Sequence, residues 1–561
     1  MKAKIEPVGT SDLTAALRRL YGERASAVAA EVALLAANHR APSRTLSDGP
    51  GWSEEDVWLI TYPDQFQKAG EPPLATLRRT FDAWMRPALN GVHILPCYPW
   101  TSDDGYAITD YLNIEPSYGS WSDIEAIAEG ARLMLDAVVN HMSASSGWFR
   151  AFLAGDPEYA GYFRTADPHT DLSATVRPRT TSLLTRFDSA DGPAWVWTTF
   201  SADQVDLDYR SPEVFLAVVR VLYEYAHHGA QMIRLDAVQF IGKDEGTSSI
   251  NLPQAHDVVR GLRAALDVAY PTVFVLTESN VPHEENLAYL GGPDEREAQI
   301  VYQFPLAPLV LHTMMTGDAT TLMSWIGGLA QPRPGTSYLN FLASHDGVGV
   351  RPVEGILTSE DVEALVRHTE LAGGMVNARA LPEGGTAPYE LASTWFDLMA
   401  HGFSESDAID RHLASHAIMF ALQGIPAVYV HSLFGTSNDH HLADSTGMAR
   451  SLNRHKFGDE SALEMQLSDT GTRASRVLQA MTAMLEKRRG MDAFAPDEPQ
   501  RMLFTDPRVF AIERGGRARV YVNVSSTAIV LEAPPGWTTV EGDRIHQLDP
   551  WQAAWLTRSD G

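Results

Sequence analysis

The sequence predicts an α/β protein: a (β/α)8 barrel of the TIM type with lid insertions, followed by a C-terminal antiparallel β domain. Three observations carry this. Eight short β-branched or Leu-rich runs alternate with longer helix-patterned stretches between Val57 and Val430. The runs are apolar on both faces, as strands of a parallel sheet covered by helices must be. After about residue 492 the pattern changes to short alternating stretches broken by Gly and Pro, the signature of antiparallel strands.

Taken in order, residues 11–38 carry Leu13, Leu17, Leu20, Val28, Val32 and Leu35 at helical spacing, so residues 1–50 are expected to be an N-terminal helical extension closed by a Pro/Ser/Gly-rich loop from Pro42 to Trp52. The barrel is expected over 51–491, its strands at 57–63, 91–99, 132–141, 230–238, 272–279, 298–304, 337–347 and 425–430. Two gaps exceed an ordinary loop. Residues 142–205 and 350–395, the second with two Gly-Gly pairs and Pro352, Pro382 and Pro388, each follow a strand end and are expected to overhang the barrel mouth. VFAIER, ARVYVNV, AIVLEA and AAWLT furnish the terminal β domain, 492–561.

Composition excludes several classes. The 561 residues are 44% hydrophobic and 20% charged, an ordinary globular mixture. A formal charge of 44 − 71 = −27 repels phosphate backbones and anionic lipid, so no nucleic-acid or membrane partner is expected. The single cysteine, Cys97, allows neither a disulfide framework nor a Cys-based zinc site. Met1–Pro7 shows no charged-then-apolar leader, the apolar stretch Ala25–Ala37 is interrupted by Glu31, and no run reaches the roughly 18 apolar residues of a membrane span, so a cytoplasmic protein is expected.

Barrel active sites lie where strands end, so function is read there. Arg234 and Asp236, two apart at the end of the fourth run, share a face, and a guanidinium keeps a neighbouring carboxylate ionised. Such a pair is either a purely structural ion pair or a poised nucleophile. Glu278 ends the fifth run behind five mostly apolar residues, a setting that raises a carboxyl pKa and supplies a proton donor. Asp346, beside His345, adds a third acid at the end of the seventh run, and Asn140-His141 ends the third. One ionised and one protonated carboxyl about 5 to 5.5 Å apart are the machinery of retaining glycoside cleavage. No metal or cofactor is called for: His-Glu-x-x-His, begun at His283-Glu284, fails at its last place, Leu287, there is no Walker loop or dinucleotide fingerprint, and His227-His228 and His440-His441 lack ligand spacing.

The ordered segments Asp136–His141, Ile233–Val238, Leu276–Glu278 and Ser344–Asp346 resemble the four signature segments of the α-amylase superfamily. The resemblance implies Asp236 as nucleophile, Glu278 as general acid/base and Asp346 as transition-state stabiliser, with His141, Arg234, His345 and Gln239 binding sugar. Within that superfamily the chain is similar to the sucrose phosphorylase branch, through Leu95–Gly105, Arg177-Pro-Arg179, Trp195–Asp208 and Leu452–His455. By this similarity Asp103 and Arg454 clamp the far hydroxyls of one glucosyl unit and Arg179 holds phosphate.

The acceptor side departs from the sucrose-active pattern. Ser279-Asn280 stands where that pattern has Val-His, and Glu390 in Pro388-Tyr389-Glu390 where it has Gln. Thr277–His283, Gly349–Leu357 and Ala387–Leu391 resemble the glucosylglycerate phosphorylases instead. Asn280, Arg351, Arg379, Tyr389 and Glu390 are therefore expected, with Arg179, around phosphate and acceptor; for Arg351 and Arg379 a surface salt bridge is the alternative. The expected activity is phosphorolysis of an α-glucoside, foremost 2-O-α-glucosylglycerate, to α-glucose 1-phosphate. Action on sucrose, sucrose 6'-phosphate or glucosylglycerol, and hydrolysis or transglycosylation on the same scaffold, are the alternatives. Partners are then small molecules (α-glucoside, inorganic phosphate, glucose 1-phosphate), and a homodimer is left open.

Overall fold

The computed structural model describes residues 10–39, 51–292, 295–380 and 385–558; Met1–Pro7, most of the loop from Pro42 and Pro382 lie outside them. Eight parallel strands close a barrel: Trp58–Thr61, Gly91–Ile94, Arg132–Val138, Ala230–Asp236, Phe274–Thr277, Ile300–Tyr302, Ser337–Asn340 and Ile425–Tyr429, each hydrogen-bonded to its sequence neighbours in the set and the first to the eighth. Each falls within one of the eight apolar runs. The strands are buried almost throughout, because helices cover the outside and side chains fill the inside. Pro212 and Pro253 open two of the covering helices, Pro212–His227 and Pro253–Ala269, at the position where a missing N–H costs nothing.

The N-terminal helices, Thr10–Tyr21 and Ala25–Asn38, are separated by a turn in which Gly22 takes a left-handed conformation (φ 53°). Leu17, Val28 and Val32 are buried, and the first helix packs against Pro253–Ala269.

The first overhanging segment contains the strand His141–Ser143 paired with Gln204–Asp206, the helix Gly147–Leu153 and a hairpin, Leu184–Ser189 with Gly192–Trp197. The second forms a three-stranded sheet, Val348–Gly349, Thr386–Ala392 and Met375–Ala380, and a helix, Ser359–Leu371, that the apolar pattern does not announce. That helix is polar and begins with a capping box between Thr358 and Asp361.

At the C-terminus, Gln500–Met502, Val509–Arg514, Ala518–Asn523, Ala553–Arg558 and Trp537–Thr539 form one antiparallel sheet in that order. Alternation divides its faces. Val509, Ala511 and Tyr521 face a small separate core, while Phe510, Ile512 and Val520 join the main one. The buried Arg514 donates to the carbonyls of Ala421 and Ala495, which fastens the sheet to the barrel.

Candidate active site

A pocket opens at the C-terminal ends of the barrel strands, and Asp236, Glu278 and Asp346 all line it. Three acids in one cavity, Asp236 buried and Glu278 and Asp346 half-buried, would repel each other strongly unless cations and hydrogen bonds divide them. The structure shows how they are divided.

Asp236 accepts a hydrogen bond from Arg234 Nη1 at 2.8 Å. The same guanidinium nitrogen reaches Asp136 on the neighbouring strand, whose other oxygen meets His93 Nε2 at 2.8 Å. Burial alone would raise Asp136, but Arg234 and His93 outweigh it and hold that carboxyl below its usual range. Arg234 is thereby fixed from below, with its guanidinium near the rings of Tyr106 and Tyr302.

Immediately after Asp236 the chain turns through Ala237, a non-glycine residue in the left-handed region (φ 53°). The turn aims the Ala237 N–H at Glu278 Oε2, 2.9 Å away. Burial pushes both Asp236 and Glu278 above the ordinary carboxylate range, mutual repulsion adding to the effect at Asp236 and the charge of Asp346 at Glu278, while Arg234 opposes it at both. The two acids titrate together. Asp236 accepts a charge-assisted bond and Glu278 only a neutral N–H, an asymmetry that favours the ionised form at Asp236 over Glu278.

Asp346 is met by Arg450 Nη1 at 2.6 Å. Arg450 also forms a two-point pair with Glu390, Nε to Oε2 and Nη2 to Oε1, both 2.9 Å. Glu390 further accepts from Asn377 Nδ2 and from the Gly347 N–H. A side chain at Gly347 would strike Leu391 O, so only glycine lets the two segments meet there. Burial opposes ionisation of Asp346 and Glu390, but Arg450 overrides it and both lie below the usual range. Glu390, expected at the acceptor, is thus 1% exposed, does not line the pocket and has its oxygens occupied. Arg450 lines the pocket in its place; sequence reasoning missed it, since its partners lie 60 and 104 positions away.

His141, His345, Asp103 and Gln239 all line the pocket. His141 is pushed down to about 3 by burial, and its Nε2 lies 3.1 Å from the carbonyl of Tyr106. His345, also buried and depressed, stacks on Tyr106 at 5.1 Å. Both imidazoles are neutral, suited to hydroxyls rather than to proton storage. Arg454 stands behind the wall: it pairs with Asp104, donates to His345 O at 2.9 Å, and is not itself at the pocket surface. Gln204, Tyr106, Phe200 and Phe240 line the pocket without having been singled out in the sequence.

On the solvent side, Arg179, Asn280 and Tyr389 line the cavity. Asn280 Nδ2 lies 3.4 Å from the Tyr389 hydroxyl, and its Oδ1 is buried without a hydrogen-bond partner. Arg179 is half-buried and has no ion-pair or hydrogen-bond partner among the described residues. The other two lid arginines do not reach the pocket. Arg351 starts a short 3-10 turn outside it, and Arg379 turns to Glu354 at 3.2 Å, so the anion-binding expectation for these two is corrected. A lid loop's sequence does not say which way its side chains point; an available carboxylate captured Arg379.

A closed barrel with two overhanging segments and paired strand-end acids, one held by a guanidinium and one by a main-chain N–H, defines a glycoside-active enzyme of the retaining kind. Comparison with known proteins agrees. Residues 88–346 match the family model described as the α-amylase catalytic domain. Glucosylglycerate phosphorylase from Allomeiothermus silvanus is 47% identical over 96% of both chains, and that from Escherichia coli is 38% identical over 90% of this chain and 92% of its own. Sucrose phosphorylase from Agrobacterium vitis is 32% identical over 74% and 87%. The crystal structure of sucrose 6F-phosphate phosphorylase from Thermoanaerobacter thermosaccharolyticum shares the fold with a TM-score of 0.73 at 24% identity, covering 84% of this chain and 94% of that one. The chain belongs to the α-amylase family, in the branch that these glycoside phosphorylases form.

Proposed function

We propose that the protein transfers a glucosyl unit from 2-O-α-glucosylglycerate to inorganic phosphate, with retention. Asp236 attacks C1 while Glu278 gives its proton to the departing glycerate oxygen, leaving a covalent glucosyl-enzyme. Phosphate then enters, Glu278 takes its proton, and a phosphate oxygen attacks C1 to release α-glucose 1-phosphate. Asp346, held ionised by Arg450, sets negative charge against the oxocarbenium-like transition state. His141, His345, Gln239 and Asp103 hold the glucosyl unit, with Arg454 behind them; Arg179, Asn280 and Tyr389 hold phosphate and glycerate.

The observation that carries this reading is Arg179. Arg234 and Arg450, the other pocket arginines, are neutralised by Asp136, Asp236, Asp346 and Glu390. Arg179 has no such partner among the described residues, so it is the cation left for an incoming anion, be it phosphate or a carboxylate. Phosphate-dependent release of glucose 1-phosphate from a panel of glucosylglycerate, sucrose, glucosylglycerol and sucrose 6'-phosphate tests the assignment. Equal or faster turnover of sucrose would return the protein to the sucrose-active reading.

A further inference from the structure

The chain makes an unusual turn at Asp103-Asp104-Gly105. All three residues lie in the left-handed region, with φ of 55°, 49° and 106°. Only glycine takes that conformation freely, and two consecutive non-glycine residues in it are strained. The turn persists because its groups are held from several sides. Asp103 accepts from Gln204 Nε2 at 3.2 Å, Asp104 pairs with Arg454, and a side chain at Gly105 would crowd the Pro96 carbonyl at 3.0 Å.

The result is a sorting of two adjacent carboxylates. Asp103 faces the pocket, whereas Asp104 turns outward and takes Arg454. Arg454 is 2% exposed; Nη1 is spent on Asp104 and Nε on the His345 carbonyl, and Nη2 is buried without a hydrogen-bond partner, 3.8 Å from Asp346 Oδ1. The charge of Asp103 also acts on Arg454, so without Asp104 it is a carboxylate the guanidinium would turn to. With Asp104 in place, Asp103 keeps an accepting oxygen for a sugar hydroxyl.

We propose that Asp104 is a positioning residue that holds Arg454 back from Asp103, so that Asp103 stays available to the hydroxyls of the glucosyl unit remote from C1. This rests on the reading of Asp103 as a glucosyl-binding residue. Asp104 touches no reacting atom. It takes up the guanidinium of Arg454 and, through the left-handed turn, sets the place of Asp103.

The test compares fluoride release from α-glucosyl fluoride and from its 3-deoxy and 4-deoxy analogues, in phosphate, by the full-length wild type and two variants. Asp104→Asn tolerates the left-handed backbone but lacks the charge. Asp104→Gly relieves the turn and removes the carboxylate altogether, which keeps the test open if the first variant is unstable. Both are expected to lose about tenfold or more in kcat/KM on the parent fluoride and much less on the deoxy analogue whose missing hydroxyl Asp103 reads, with KM for phosphate unchanged. A merely structural role would lower all three substrates equally and leave their ratios at the wild-type value, which overturns the proposal. Wild-type enzyme that does not discriminate against either deoxy analogue overturns the reading of Asp103 as a glucosyl-binding residue, and the proposal with it.

Discussion

Ala237 donates its backbone N–H to Glu278 Oε2 at 2.9 Å from a left-handed conformation, one residue past Asp236. The two acids are therefore tied by main chain: the turn that presents one also orients the other. Strain of this kind costs of the order of 1–3 kcal/mol and persists only where its surroundings over-determine it.

Replacing Asp236 by Asn should leave the fold intact and lower turnover at least about 10⁴-fold, because no other group can form the covalent intermediate. Steady-state release of glucose 1-phosphate checks this; near-normal turnover would remove the assignment. Glu278→Gln should cost about 10² to 10⁴ on glucosylglycerate but far less on α-glucosyl fluoride, whose leaving group needs no proton.

The pH profile follows from the same group. Burial raises the pKa of Glu278, and the protonated form is the active one in the first step. As pH rises through that raised pKa the acid is lost, so kcat/KM for glucosylglycerate should fall on the alkaline side. The limb should vanish with α-glucosyl fluoride, measured over the same range. An identical limb for both substrates would assign it elsewhere.

Arg179→Lys keeps charge but loses the planar two-point fork, and Arg179→Ala loses both. KM for phosphate should rise in the first and more in the second, while glucosyl-enzyme formation from the fluoride changes little. In synthesis from glucose 1-phosphate, D-glycerate should outrun fructose and glycerol by about one to two decades, since a charge-assisted hydrogen bond contributes roughly 1.5 to 3 kcal/mol. Arg179→Ala should narrow that preference; Arg351→Ala and Arg379→Ala should not.

Glu390→Gln removes the carboxylate that shares Arg450 with Asp346. Breaking one partner of a buried pair costs about 3–5 kcal/mol, so the melting temperature should drop by several degrees. Arg450, no longer held on that side, should also lose its register on Asp346, and kcat should fall together with stability. A variant as stable as wild type would show that Glu390 does not anchor the guanidinium.

The eight barrel strands were legible because a strand buried on both faces writes itself as a continuous apolar run, and the strand-end acids because charge at the end of such a run is conspicuous. The helix Ser359–Leu371 was hidden by its own polarity: Leu365 and Thr369 are its buried residues, and the capping box at Thr358 and Asp361 was its one local signal. Arg450 was illegible for a different reason. Its meaning lies in contacts with Asp346 and Glu390, which only the closed chain brings together. Glu390 is expected at the acceptor by its match to the family's Gln and Arg379 as a lid arginine, and neither signal carries the partner: Glu390 takes Arg450 in a buried pair, and Arg379 takes Glu354, the salt-bridge alternative.

The pocket has one wall tied by charge and one wall that offers a free charge. The second overhanging segment is tied through Glu390 to Arg450 in the turn after the eighth strand, twice, and to the Gly347 N–H at the end of the seventh, so displacing it would break several charge-assisted bonds at once. The first segment presents Arg179 to the cavity with nothing among the described residues to hold its guanidinium. Capture of anions at the mouth therefore falls to the first segment, and the second is its fixed counterpart.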